Sequence, residues 1–197
     1  RARPSQAGGS LIDYGKNNQM KPIENFRIYR SKKLDKIAKA AAKTGINANH
    51  ITTLSFLSGL AAVYFLFNNY YLFLLCALLH LTFDGFDGVV ARITKPTLSG
   101  KYFDLISDSL VTFLALLKTG FYLKDFYAYL AAGFFFAALL IHLTSKLQAP
   151  MLFMRTILII GLVIITNHLF PFMETALTAG YLAAGGVSLF SLARQLQ

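Results

Sequence analysis

The segment FDGFDGVVARITKPTLSGKYFDLISD, residues 83–108, carries four aspartates within the apolar part of the chain. They are Asp84, Asp87, Asp104 and Asp108, and only two other acidic residues follow residue 48. Ionised carboxylates at membrane depth are costly unless they meet partners or ions in a protein interior or a watery cavity. The segment therefore predicts an internal site built from carboxylates.

The spacing of these aspartates predicts that they converge. On helices, Asp84 and Asp87 occupy positions i and i+3, and Asp104 and Asp108 occupy i and i+4, so each pair shares one helix face. A short loop makes the two helices antiparallel neighbours, which brings both pairs to one point. Carboxylates without Cys or His ligands at suitable spacing favour a hard divalent cation, Mg²⁺ or Mn²⁺.

Small residues extend both acidic faces. Gly88, Ala91 and Gly100 stand four positions from an aspartate, so a bulky ligand can approach the backbone there. Arg92 adds a permanent cation with bidentate geometry for phosphate at the edge of the loop. The combination of metal, open backbone and guanidinium predicts a diphosphate site.

The pattern D-x2-D-G-x2-A-R, a loop, then G-x3-D-x3-D resembles the signature of the CDP-alcohol phosphotransferases, class I integral membrane enzymes of phospholipid synthesis. All eight named positions are filled here. One departure is visible, because residues 93–99 form a loop that is one residue shorter than the usual family spacing. The departure changes the loop but leaves the spacing within each helix intact.

The resemblance implies a reaction and a set of roles. A phosphatidyl-type group, or its archaeal ether-lipid equivalent, would pass from a CDP-linked lipid to a hydroxyl acceptor, such as inositol phosphate or glycerol phosphate, with release of CMP. The metal ligands, for two Mg²⁺ or Mn²⁺ ions, would be Asp84, Asp87, Asp104 and Asp108. Asp108 would also be the catalytic base. The nucleotide-binding residues would be Asp84, Gly88, Ala91, Arg92, Gly100 and Asp104.

The acceptor and the direction of transfer stay open. Arg155 resembles the basic residues with which family members bind an acceptor's phosphate, and Lys146 is a second candidate across the neighbouring loop. Snorkelling of Arg155 to the membrane interface is the alternative. A CDP-linked small alcohol could instead be transferred to a lipid hydroxyl. Three rival functions are a divalent-cation transporter, a UbiA-like prenyltransferase and a noncatalytic scaffold, although prenyltransferase acids lie on widely separated helices of a longer bundle.

The composition indicates an all-α membrane protein, since 55% of the residues are hydrophobic. Apolar segments of ~20 residues, the length that crosses a bilayer, predict six transmembrane helices. They cover roughly 49–67, 70–92, 100–122, 125–146, 150–167 and 171–193. Residues 1–15 are predicted to be a flexible leader, either native or added for expression, 16–48 a basic juxtamembrane segment with an amphipathic helix, and 49–197 the catalytic domain. The single Cys76 excludes a disulfide within the chain.

The charge distribution predicts the orientation. The chain carries 19 Lys and Arg against 9 Asp and Glu, and the basic residues cluster before the first span and in alternate loops. Hydrophobic spans follow the basic run directly, which favours an anionic membrane surface over nucleic acid as its partner. The positive-inside rule then predicts that both termini and the acidic motif are cytoplasmic.

The remaining polar or small residues of the spans have structural interpretations. His80, one turn before Asp84, is expected to pack in the interior, with orientation of that aspartate as the alternative. His142 and His168 are expected to be structural. The last predicted helix carries a small-residue stripe that suits either the bundle interior or a homodimer, which the family resemblance favours. The stripe consists of Ala176, Gly180, Ala184 and Ser188.

Overall fold

A computed structural model of the protein describes residues 47–94, 97–167 and 171–197, without the side chains of Arg92 and Thr94. These residues form six helices and no strand. In chain order the helices are α1 (Ala48–Phe65), α2 (Tyr70–Thr94), α3 (Leu98–Leu123), α4 (Phe126–Thr144), α5 (Arg155–Ile165) and α6 (Met173–Gln195). The predicted leader, the predicted amphipathic helix and His168 lie outside the described residues.

The six helices form a bundle in which successive helices run in opposite directions, so it has two ends. The aspartate end holds the start of α1, the α2–α3 connection, the α4–α5 connection and the end of α6. There the Thr52 hydroxyl of α1 donates a hydrogen bond to Asp87 of α2 at 2.8 Å. At the same end the backbone N–H of Leu152 donates to Ser191 of α6 at 3.2 Å.

The opposite end, called the turn end here, holds the connections α1–α2, α3–α4 and α5–α6. Phe67 of the α1–α2 connection and Tyr122, in the last turn of α3, stack with ring centroids 4.1 Å apart. Asp125 caps α4 by accepting a hydrogen bond from the Tyr127 backbone N–H at 2.9 Å. Its other carboxylate oxygen accepts a hydrogen bond from the Tyr181 hydroxyl of α6. Each end is therefore tied together by side chains from different helices.

Within the described ranges, four helices are long and apolar enough to cross a membrane, namely α2, α3, α4 and α6. The chain is accordingly a multi-pass membrane protein. The prediction of six spans is met only in part, because α1 begins with the polar residues Asn49, His50 and Thr52. The predicted fifth helix, 150–167, is shortened to the 11 residues of α5. Pro150 disfavours helical geometry in the residue before it, and the chain becomes helical again only at Arg155.

Close packing of small residues positions the helices. A Cβ atom added to Gly59 of α1 would lie 2.7 Å from Val111 Cγ2 and 3.0 Å from His80 Nδ1, so this glycine lets α1 approach α2 and α3. His80 is fully buried, and its Nδ1 donates to the Ser55 carbonyl at 2.8 Å. The structural interpretation of His80 therefore agrees with its contacts.

Part of the small-residue stripe on α6 lies inside the bundle. Ala184 and Ser188 are buried. A Cβ atom on the adjacent Gly185 would lie 3.0 Å from Ala131 Cβ of α4. Gly180, in contrast, lines an apolar groove of about 340 Å³ between α3, α5 and α6. Interior packing accounts for the buried members, and the homodimer remains a prediction.

Candidate functional site

Three of the four motif aspartates meet at the aspartate end. Asp84 comes from α2, and Asp104 and Asp108 come from α3. Each offers one carboxylate oxygen, and the three oxygens all lie within 4.8 Å of one another. The predicted convergence of the two helices is therefore confirmed for these three residues, which we call the aspartate triad.

The start of α3 helps to set this geometry. Thr97 precedes the helix, and its hydroxyl accepts a hydrogen bond from the Gly100 backbone N–H at 3.1 Å. Such a cap satisfies one of the unpaired donors of the first turn. Because the cap fixes where the helix begins, it helps to fix the face on which Asp104 and Asp108 emerge, about two and three turns later.

Asp87 lies beside the triad without belonging to it. Its side chain is buried, and Oδ2 accepts the hydrogen bond from Thr52 of α1. The same Thr52 hydroxyl lies 3.2 Å from the Ala48 carbonyl of its own helix. No role in the site was predicted for Thr52 from the sequence. Asp87 is thus oriented from α1, a helix outside the hairpin that carries the motif.

Arg155 lies directly on the triad. As the first residue of α5, it reaches across to both α2 and α3, and its guanidinium forms ion pairs with Asp84 and Asp108. Only 11% of its side chain is exposed. The snorkelling alternative is therefore wrong, because the cation points into the bundle. The predicted acceptor residue is instead found among the predicted metal ligands.

The triad has the chemistry of a divalent-metal site. Asp104 Oδ1 is buried and has no hydrogen-bond partner among the described residues. A buried polar atom without a partner is expensive, so native structures seldom contain one without an ion or water to satisfy it. Three clustered carboxylates supply the oxygen ligands that Mg²⁺ and Mn²⁺ prefer. These residues fit the predicted metal.

Two cavities flank Asp104. The larger, about 670 Å³, lies between α1, α2 and α3. Its lining includes Asp87, Gly88, Ala91 and Gly100, all of them motif residues. The smaller, about 400 Å³, lies on the other side of α3 and is lined by Asp108 and Arg155 among others. We call them the motif cavity and the arginine cavity.

The two motif glycines contribute differently to the motif cavity. A Cβ atom on Gly88 would meet nothing within 4 Å, so this glycine leaves open space, as predicted. A Cβ atom on Gly100 would lie 2.9 Å from Asn49 Oδ1 and from Thr97 Oγ1. Gly100 therefore also permits close packing of the first turns of α1 and α3, a role that its spacing did not reveal.

Lys101 was missed by the sequence analysis and lines both cavities. Its position three residues before Asp104 was the available signal, because residues at i and i+3 share a helix face. Lys146, in contrast, is exposed on the α4–α5 connection and is not among the residues that line either cavity. The side chain of Arg92 lies outside the described part of the chain.

The histidine nearest the arginine cavity has a structural contact. His142 Nδ1 donates to the Ala149 carbonyl at 2.6 Å, which ties the end of α4 to the following loop. The same side chain also lines the arginine cavity. The structural interpretation of His142 thus agrees with its hydrogen bond, and its contribution to the cavity wall is new.

Comparison with known proteins places these residues in a family. The model of the CDP-alcohol phosphatidyltransferase family matches residues 46–189, which include both helices of the motif and both cavities. Neither the curated proteins nor the solved structures gave a match. Members of this family are transferases that move a phosphate-linked group from a CDP-alcohol to an alcohol acceptor in a membrane. The chain belongs to the CDP-alcohol phosphatidyltransferase family.

Proposed function

We propose that the protein transfers a phosphatidyl-type group, or its archaeal ether-lipid equivalent, from a CDP-linked lipid to a hydroxyl acceptor, with release of CMP. The observation that carries this proposal is the aspartate triad, in which Asp104 lines both cavities and Asp108 lines the arginine cavity. Such a position lets two substrates reach one set of carboxylates. The family match supports the general reaction.

The triad would hold one or two Mg²⁺ or Mn²⁺ ions. Asp84, Asp104 and Asp108 supply clustered oxygens, and Asp87 would complete the ligand set from the edge of the motif cavity. When bound, the metal would neutralise charge on the substrate diphosphate. Thr52 would keep the Asp87 carboxylate in place through its 2.8 Å hydrogen bond.

The motif cavity would bind the nucleotide. Gly88 leaves open space at its wall, and Ala91 and Gly100 line it with little side-chain volume. Arg92 is proposed to contact the diphosphate, as the resemblance implies. Asp104 of the triad lines this cavity, so a nucleotide bound here would place its diphosphate beside that carboxylate.

The arginine cavity would receive the acceptor. The acceptor oxygen forms a bond to the lipid-side phosphorus, the bond between that phosphorus and the CMP oxygen breaks, and the hydroxyl proton passes to an Asp108 carboxylate oxygen. A carboxylate within hydrogen-bond reach of the hydroxyl is suited to this proton transfer. Arg155 would bind a phosphate on the acceptor, which favours a phosphorylated polyol. Lys146, exposed nearby, would attract such an anion.

We also propose a cytoplasmic position for the aspartate end and a homodimeric assembly. Lys101, Lys146 and Arg194 belong to this end, whereas the turn end holds Lys118 and Lys124. Together with the basic residues before residue 47, this asymmetry supports a cytoplasmic site under the positive-inside rule. A CDP-linked substrate made in the cytosol would need that side.

The test is CMP release by the purified full chain. The assay supplies CDP-diacylglycerol or an ether-lipid equivalent with a panel of alcohols and alcohol phosphates, and in parallel a CDP-linked small alcohol with a lipid hydroxyl. Asp108→Asn should keep CDP-lipid binding and lose CMP release. Asp125→Asn, at the turn end, is the matched control and should keep activity.

Two results would contradict the proposal. Full activity of Asp108→Asn would remove this residue as the base. Manganese uptake into proteoliposomes, with no CMP release from any substrate pair, would favour a divalent-cation transporter instead.

A further inference from the structure

Arg155 forms ion pairs with carboxyl groups that would also be ligands of a bound metal. Its two terminal nitrogens pair with Asp84 and Asp108, which are two of the three triad members. A guanidinium and a divalent ion placed on the same carboxylates repel each other. At separations of about 4 Å this repulsion is on the order of several kcal/mol near a protein surface. Arg155 and a bound metal therefore compete for two ligands.

The carboxylates account for the position of this cation. Arg155 is the first residue of α5, and the N-terminus of a helix carries a partial positive charge that disfavours a cation. It is also largely removed from solvent, where a charge needs a partner. Its pairs with two aspartates offset both costs. Arg155 thus supplies the positive charge that holds the two acidic helices together.

The ion pairs of Arg155 leave some polar atoms of the site without partners. Three triad carboxylates face one guanidinium, and Asp104 Oδ1 has no partner within the described structure. The Nε atom of Arg155 is likewise buried without a hydrogen-bond partner there. Neither group reaches its full set of hydrogen bonds while the guanidinium stays on Asp84 and Asp108. An arrangement with a metal on the carboxylates and an anion on the arginine would satisfy both.

The arginine cavity has room for the Arg155 side chain in a second position. About 400 Å³ of space adjoins Arg155, and its walls include the polar side chains of Ser109, Thr112 and Thr156. An arginine side chain has four rotatable bonds to its guanidinium, so the head group can swing away from the carboxylates while α5 stays in place. The displaced cation would then lie where the proposed acceptor binds.

We propose that Arg155 is an exchangeable counter-cation, which pairs with Asp84 and Asp108 before metal binds and is displaced by the metal into the arginine cavity to receive an anionic acceptor. This inference rests on the proposed function. It gives an order to the two events, because metal binding makes the arginine available. By thermodynamic linkage, an anionic acceptor that engages Arg155 also strengthens metal binding.

The experiment measures Mn²⁺ affinity of the detergent-solubilised full chain by calorimetry, without substrates. Arg155→Gln should bind Mn²⁺ about tenfold more tightly than the unmodified chain, because the competing cation is gone. Its unfolding temperature without metal should fall, and the rise caused by Mn²⁺ should grow. Lys118→Gln is the matched control, since it removes a hydrogen-bonded cation at the turn end. Its Mn²⁺ affinity should be unchanged.

A second variant guards against a failure of Arg155→Gln to fold. Lysine can pair with one carboxylate at a time, so Arg155→Lys should bind Mn²⁺ about threefold more tightly. Unchanged or weaker Mn²⁺ binding by either folded variant overturns the inference while the metal site stands. Absence of Mn²⁺ binding by both the unmodified chain and Arg155→Gln overturns the metal site itself, and with it the proposed function.

Discussion

Arg155 and Lys118 lie at opposite ends of the bundle, and each takes its partners from other helices. Arg155 pairs with two carboxylates in a region that also contains two cavities. Lys118 of α3 donates hydrogen bonds to the backbone carbonyls of Val63 at 2.8 Å and Tyr64 at 2.5 Å, in the last turn of α1. One cation meets ionisable side chains and the other meets fixed backbone.

This difference in partners distinguishes a functional site at Arg155 from a purely structural contact at Lys118. The last carbonyls of a helix lack partners within the helix and carry a partial negative charge, so a cation is favoured beside them. Lys118 donates to the Val63 carbonyl and shares the Tyr64 carbonyl with the Asn68 side chain, which donates to it at 3.0 Å. Nothing in that arrangement needs to change during a reaction. At the aspartate end the three triad carboxylates share one paired guanidinium, and a buried oxygen of Asp104 lacks a partner among the described residues. Incomplete pairing beside open space is the property that a ligand can use.

The largest effect is expected from a change in the triad. Asp104→Asn replaces an anionic oxygen ligand with a neutral amide, so CMP release should fall about a thousandfold, in line with the several kcal/mol that a catalytic metal supplies. The increase in unfolding temperature that Mn²⁺ causes should also disappear. Thermal unfolding with and without Mn²⁺, together with the CMP assay, checks both.

Glu174→Gln is the control for Asp104→Asn. It neutralises an exposed acid in the first turn of α6, at the turn end. Both activity and the response to Mn²⁺ should be retained. If Mn²⁺ still raised the unfolding temperature of Asp104→Asn, the triad would not be the metal site, and metal binding would not distinguish the aspartate end from the turn end.

A change at Lys118 should alter stability and leave chemistry intact. Lys118→Met removes the donors for two carbonyls of α1, so the free energy of unfolding should fall by about 2 kcal/mol, which is typical of hydrogen bonds from charged groups. The rate of CMP release per folded molecule should stay unchanged. Unfolding in a mild detergent measures the first quantity, and the CMP assay at low temperature measures the second.

Loss of activity in folded Lys118→Met would contradict the purely structural role of Lys118, because the turn end would then take part in the reaction. Lys118→Arg serves as the control. Its guanidinium can donate to the same carbonyls, so most of the stability should return.

The sequence predicted the helices and the motif geometry well because both depend on local periodicity. Apolar segments of sufficient length identified α2, α3, α4 and α6, and the i+3 and i+4 spacing of the acids placed them on facing surfaces. The length of α5 was wrong, since hydropathy does not show where helical geometry resumes after Pro150.

Contacts between residues far apart in the chain could not be predicted from the sequence. Thr52 and Asp87 are 35 residues apart, and Lys118 and Val63 are 55 apart, so no spacing rule connects them. The sequence identified Arg155 as an unusual cation but not as a partner of Asp84 and Asp108. Such pairings appear only when the helices are assembled, because each depends on the distance and rotation between two helices.

The smallest effects are expected at two helix glycines, one near each end. A Cβ atom on Gly88 would meet nothing within 4 Å, whereas one on Gly120 would lie 3.2 Å from Ala128 Cβ and from Tyr129 Cε1. Gly88→Ala should raise the free energy of unfolding by about 0.5–1 kcal/mol, because alanine favours the helix and meets no obstacle. Gly120→Ala should gain less or lose stability, since its neighbours must move.

For substrate binding, in contrast to stability, Gly88→Ala should be the harmful substitution and Gly120→Ala the neutral one. Gly88 lines the motif cavity, so its added methyl group should raise the KM for the CDP-linked lipid about tenfold, the lower end of what one misplaced methyl group costs in a pocket. Gly120→Ala should leave this KM unchanged, because the residue packs against α4 at the turn end. A stable Gly88→Ala with unaltered KM would mean that the open space beside this glycine does not hold the nucleotide, and the larger cavity would then need another occupant.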